Sequence, residues 1–100
     1  MIKADIVNIV ANQTGLTKID TKAVVEGVVA VISEALHKGE RVDIRGFGNF
    51  DVKLRKSKKA RNPGTGEEII LPERAVPVFK PSKSLKDQVD FEYKNRENNR

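Results

Sequence analysis

Between Val24 and Leu36 this chain places more apolar surface on one helical stretch than a single small core can use. Val24, Val25, Val28, Val29, Val31, Ile32, Ala35 and Leu36 recur at helical spacing. At the helical increment they spread over about 160°, against the roughly 100° stripe that one core needs. Glu26, Glu34 and His37 fall on the opposite face. Two arrangements satisfy such a helix: it is wedged deep inside its own monomer, or it is shared with a second copy of the chain. The remaining sequence favours the second, because too little of it is left to cover both flanks.

Punctuation around this stretch sets the helices. Ile2, Ile6, Ile9 and Val10 share a face ahead of it, Asp5 suits a first turn and Gly15 a C-terminal stop, so a first helix is expected from Lys3 to Gln13. Thr17-Lys-Ile-Asp20 reads as a capping box with Asp in the Glu position. The second helix then runs to about Lys38, where Gly39 ends it and the lysine suits the negative end of the dipole. After Gly39 the period changes to two. Val42 and Ile44 alternate with Arg41, Asp43 and Arg45, then Phe50, Val52 and Leu54 with Asp51, Lys53 and Arg55, around a tight turn at Gly46-Phe47-Gly48-Asn49.

From Arg55 to Lys59 the alternation stops and nearly every residue is polar. A return strand spans Glu68 to Leu71, Pro72 marks an edge or kink, Val76 and Val78 flank Pro77, and Phe79 rejoins the core. The segment from about 53 to 76 is therefore a ribbon with little to bury, reaching some 30 Å, and it is expected to stay mobile until a partner orders it. Ser82 can cap a short third helix with Leu85, Val89 and Tyr93 on one face; Lys94 to Arg100 is polar and expected to fray. Residues 1–90 form the domain and 91–100 a polar tail. With arm and tail removed, about two-thirds of the chain remains for a core, a size that usually needs help. Dimer is the expectation.

The ribbon also holds the charge. Eight cations lie from Arg41 to Arg61 (Arg41, Arg45, Lys53, Arg55, Lys56, Lys58, Lys59 and Arg61) against Asp43 and Asp51, an excess larger than the +5 of the whole protein. The return strand is more mixed, with Glu67, Glu68 and Glu73 against Arg74. A second basic set, Lys80, Lys83 and Lys86, stands at the entrance to the third helix, where backbone N–H groups also favour phosphate. Such local charge on a hairpin points to nucleic acid, with an anionic membrane surface as the weaker alternative. Four Phe, one Tyr and no Trp are too few for a base-stacking platform.

Catalysis has little to stand on. The single histidine, His37, reads as a solvated helix-end residue, a lone His makes no metal site, and no nucleophile–base pair or phosphate-binding loop can be assembled. Cysteine is absent, excluding disulfides and thiolate metal sites and fitting a reducing, cytoplasmic compartment. No cofactor, small-molecule substrate or membrane partner is expected. Pro63, at the ribbon tip Arg61-Asn-Pro-Gly-Thr-Gly66, has two readings. It shapes the turn, or it is a rigid apolar wedge for a base step, with Arg61 and Asn62 beside it to meet minor-groove acceptors.

Three segments in order, Gly46-Phe-Gly-Asn-Phe50, Arg61-Asn-Pro-Gly-Thr-Gly66 and Val76-Pro-Val-Phe-Lys-Pro-Ser-Lys83 leading into Leu85-Lys-Asp87, resemble the histone-like DNA-bending family of HU and integration host factor over roughly residues 1–90. The resemblance implies an α+β intertwined homodimer or heterodimer, with a helical body, a small antiparallel sheet and two protruding β-ribbon arms. It implies a bacterial nucleoid protein that bends and compacts double-stranded DNA from the minor groove. By position Pro63 matches the wedge and Arg61 and Asn62 its neighbours; Lys53, Arg55, Lys56, Lys58 and Lys59 fall on the outgoing arm and Arg74 on the return. Lys3, Lys80, Lys83 and Lys86 fall where the body would meet DNA flanks. Arg45 and Phe79-Lys-Pro81 look more like integration host factor than HU, so a site-preferring bender is an alternative to a largely sequence-independent one. An RNA-binding structural protein using the same hairpin is a third, from a different class.

Overall fold

Polar caps and left-handed glycines end the helices where the sequence places them. The computed structural model describes residues 1–98. In order these form α1 (Lys3–Thr14), α2 (Lys18–His37), β1 (Val42–Ile44), β2 (Gly48–Arg55), β3 (Lys58–Arg61), β4 (Glu68–Leu71), β5 (Arg74–Pro81) and α3 (Lys83–Asn98), the expected α+β arrangement. The Asp5 carboxylate accepts the Ile2 N–H at 2.7 Å and opens α1. Gly15, at φ 77°, closes it by donating to the Ala11 carbonyl. The Thr17 hydroxyl accepts the Asp20 N–H at 3.1 Å and caps α2; of the expected box this is the half that forms. At its other end Gly39 turns left-handed at φ 78°, which lets the Glu40 N–H reach the Ala35 carbonyl at 2.9 Å.

Two expectations shift. The turn between β1 and β2 is Arg45-Gly46-Phe47, because β1 pairs Ile44 with Gly48, so Gly48 and Asn49 already belong to the strand. Gly46 supplies the left-handed position at φ 81°. The third helix is long, not short: it continues through Lys94 to Asn98, and of the tail expected to fray only residues 99–100 lie outside the described residues. Contacts one turn apart hold the added length, with Gln88 donating to Glu92 at 3.0 Å and Lys94 paired to Asp90 at 2.8 Å.

Little of this is covered. Among the described residues the buried side chains are Val7 and Ala11 of α1 and Thr21 of α2, where the two helices cross. Phe47, Phe50 and Phe79 form a second cluster, with ring centroids 4.9–6.5 Å apart, on the sheet ordered β1-β2-β5. The wide apolar arc of α2 divides in two. Val25, Ile32 and Leu36 are half-buried, and α2 packs on β1 and β2 of its own chain. Val24, Val28 and Val31, on the neighbouring stripe, stay 59%, 52% and 70% exposed.

The dimensions agree with this division. The radius of gyration is 19.5 Å, where a compact chain of this length has about 13 Å. The accessible surface is 8571 Å², where a compact monomer of 11.1 kDa has about 5,700 Å². The excess is of the size that an obligate homodimer interface removes. A helix wedged into its own monomer is ruled out by the exposed valine stripe, and the chain is built as one half of an intertwined pair. No described helix is long and apolar enough to cross a membrane.

Gly48 is where the sheet tolerates no side chain. A Cβ there would strike the Lys80 carbonyl oxygen and come within 2.7 Å of the Phe79 ring. Gly48→Ala is expected to cost about 1–3 kcal/mol, measured by urea unfolding at fixed protein concentration; an unchanged midpoint would mean that β5 yields easily.

Candidate nucleic-acid interface

One pairing register runs the whole length of the arm. β2 and β5 pair antiparallel from Gly48↔Pro81 to Arg55↔Arg74. β3 and β4 take up the same register from Lys58↔Leu71 to Arg61↔Glu68. Between them the ladder lapses at Lys56-Ser57 opposite Pro72-Glu73, where Pro72 has no N–H to give. No residue is inserted or lost across that gap, so side chains keep their alternation between faces from the body to the tip.

That alternation sorts the predicted cations by face. Lys80 (opposite Asn49), Lys53, the directly opposed Arg55 and Arg74, Lys59 and Arg61 share one face of the ribbon. Lys58 falls on the other, which also carries Leu54, Ala60, Ile69 and Leu71; counting through the lapse puts Lys56 there too. Among the described residues none of Lys53, Arg55, Lys59, Arg61, Arg74 and Lys80 is held in an ion pair. Like charges directly opposite destabilise a ladder, so the Arg55–Arg74 pair gains most from an anion placed between the two guanidinium groups.

The tip is braced. Asn62 accepts the Gly64 N–H on its side-chain oxygen at 2.9 Å, a ring that spans Pro63. Its backbone N–H donates to the Glu67 carbonyl at 2.9 Å, and its carbonyl accepts the Gly66 N–H at 2.8 Å. Gly66 sits at φ 74°, and the Thr65 hydroxyl accepts the Glu67 N–H at 3.3 Å. Pro63 is therefore an exposed ring on a fixed loop, and Asn62 retains its amide NH2 as a donor. Sequence reasoning missed this brace, although Asn-Pro-Gly is itself its signal.

On the body, Ser82 joins the start of α3 to the β1–β2 turn. Its hydroxyl donates to the Gly46 carbonyl at 3.0 Å and accepts the Leu85 N–H at 3.1 Å, while its own N–H donates to the Phe47 carbonyl. This brings Arg45 beside the helix start that carries Lys83 and Lys86. Lys3 lies apart, on α1, with its ammonium 3.1 Å from Glu26. The hydrogen bond and charge of Lys3, with Lys22 behind, hold the Glu26 carboxyl below the ordinary glutamate range. Lys18 and Lys22 share a concavity with Lys3 above Ala4, Val7 and Ile19; scattered helix-face lysines gave no sequence signal for that grouping.

Residues 1–90 match the family model described as bacterial DNA-binding protein. The chain belongs to that family. It is 49% identical over 89 residues to the DNA-binding protein HU of Geobacillus stearothermophilus, covering 89% of this chain and 99% of that one. It is 48% identical to the HU of Staphylococcus aureus over the same length. Among solved structures, the Anabaena HU–DNA cocrystal superposes with a TM-score of 0.85 at 35% identity, covering 89% of this chain and 97% of that one. HU from Thermotoga maritima gives 0.65 at 35% identity, covering 89% and 98%. A mutant of transcription factor 1 gives 0.64 at 28% identity and covers 95% of this chain and 97% of its own.

Removing the tip brace has a direct readout. Asn62→Ala is expected to speed hydrogen exchange at the Gly64 amide by about fivefold, the effect of deleting one hydrogen bond of about 1 kcal/mol. Unchanged exchange would show that the loop holds Pro63 without it.

Proposed function

We propose that the protein binds double-stranded DNA as a dimer, lays its two arms along the minor groove and bends the duplex where Pro63 of each arm opens a base step. The observation that carries this is the row of unpaired cations on one face of a ribbon of constant register, ending in a braced proline. Arg61 and the Asn62 amide flank Pro63 and can donate to the acceptors on the groove floor. Lys53, Arg55, Arg74 and Lys59 line the phosphates along the arm. Arg45, Lys80, Lys83, Lys86 and Lys3 meet the flanks once the duplex curves back over the body. Lys56 and Lys58, on the opposite face, act through the field of the arm and not by contact.

The mechanism is an energetic exchange. Unstacking costs a few kcal/mol per step, and bending a short site about 1–6 kcal/mol more. Counterion release along the curved flanks offsets this and makes affinity steeply salt-dependent. Few of these side chains reach base edges, so the binding is largely independent of sequence and favours flexible, nicked or pre-bent DNA over one preferred site. The role is architectural and not enzymatic, and its place is the bacterial nucleoid. The relatives are named DNA-binding proteins and the Anabaena neighbour was solved with DNA, which supports DNA over RNA as the partner. The deep, narrow major groove of an RNA duplex would not suit the arm, though its broad, shallow minor groove could accept the charges.

Pro63→Ala should keep most of the affinity yet reduce the bend measured by end-to-end energy transfer; an unchanged bend removes the wedge. Arg55→Ala with Lys59→Ala should flatten the log–log salt dependence by about 0.9 for each phosphate no longer neutralised, while Lys56→Ala with Lys58→Ala should change it by less than half as much. Equal effects would refute the assignment of faces, and tighter binding to an RNA duplex than to DNA of equal length would refute the function.

A further inference from the structure

We propose that the last two turns of α3, residues 91–98 with Tyr93 at their centre, lock two copies of this chain together by extending the dimer interface past the span that the family model matches. The inference rests on the dimer reading above and goes beyond it. The family match ends at residue 90, but α3 runs on to Asn98. An isolated helix of this length is marginal in water. Among the described residues no helix or strand of its own chain packs along it. Its apolar stripe does not stop at residue 90: Leu85, Val89 and Tyr93 succeed one another at one-turn spacing and, with Pro81, line a single shallow groove. Val89 and Tyr93 are 59% and 54% exposed in the lone chain.

Charge decides what covers this groove. Lys94 and Arg96 are balanced by Glu92 and Glu97 within the extension. The Lys94 ammonium is engaged by Asp90 at 2.8 Å, and the hydrogen bond and charge of that carboxylate hold its pKa above the ordinary lysine range, so the ammonium stays charged at neutral pH. The Arg96 guanidinium lies over the Tyr93 ring, 5.9 Å from its centroid. A segment whose own cations are already matched has little attraction for phosphate, which leaves contact with DNA to Lys83 and Lys86 at the other end of α3. A second copy fits: the stripe continues one that begins within the shared domain, and the chain already exposes a second apolar stripe on α2 for self-association. The two-fold symmetry of a homodimer makes the interaction occur twice, so a single side chain counts double.

The test uses the full-length protein. Tyr93→Ser should raise the dimer dissociation constant, measured by sedimentation equilibrium, by about tenfold or more, and should speed exchange between labelled subunits. Phe91 lies on the opposite face of α3, and Phe91→Ser should change neither. Neutralising Lys94 and Arg96 together with Gln should leave the salt slope of DNA binding unaltered. An unchanged dissociation constant for Tyr93→Ser overturns the inference, as does an equal effect of Phe91→Ser or a flattened salt slope for the Gln variant. If wild-type protein bends DNA as a dimer while Tyr93→Ser dissociates no more readily, this inference alone fails. A wild-type monomer would refute the dimer reading itself.

Discussion

Apolar surface that one chain cannot cover for itself is the constraint behind every other feature. Among the described residues only the side chains of Val7, Ala11 and Thr21 are buried by the chain alone, while a stripe of valines on α2 stands more than half exposed. Burial is worth about 25 cal/mol per Å², so covering that stripe with a second copy is what makes a body out of two thin halves. The body in turn supplies the rigid root that a two-stranded ribbon requires, since such a ribbon is marginal by itself. Two arms on one body are thus a consequence of the same shortage of core that forces the pairing.

The ladder converts that root into a positioned tip. Because the register from Gly48↔Pro81 continues unshifted to Arg61↔Glu68, a side chain near the body and one near the tip can be assigned to the same face. A slip of one residue would exchange the faces, moving Arg55, Lys59 and Arg61 to the side that carries Leu54 and Ala60. The lapse at Pro72 interrupts hydrogen bonding without altering the count. Gly48 guards the other end of the ladder, where β5 crosses too closely for any side chain.

Much of this was legible because it depends on local chemistry. Thr17, Gly15 and Gly39 each act within a few residues of the boundary they set, and the limits of α1 and α2 fell within a residue of expectation. The change of period after Gly39 and the excess apolar arc of α2 are properties of single segments, so strands and pairing could be read from them. The allocation of cations to faces could not, because it needs the partner strand: the eight positive residues formed one undivided run until the register separated Lys56 and Lys58 from Lys59 and Arg61. The turn ends two residues earlier than expected for a related reason, since Gly48 is held in the strand not only by β1 but by β5, which lies some thirty residues away in the sequence.

The length of α3 escaped sequence reasoning for a different cause. Lys94 to Asn98 carries no apolar periodicity and so reads as a fraying tail, yet hydrogen bonds and ion pairs one turn apart carry the helix on. Those interactions are individually weak, a few tenths of a kcal/mol each, too little to hold two further turns in isolation. The apolar stripe from Leu85 to Tyr93 makes up the difference only if something covers it. Helical order in this segment and association with a second chain are then one equilibrium, and the same shortage of internal core that joins the α2 helices reaches the far end of the molecule.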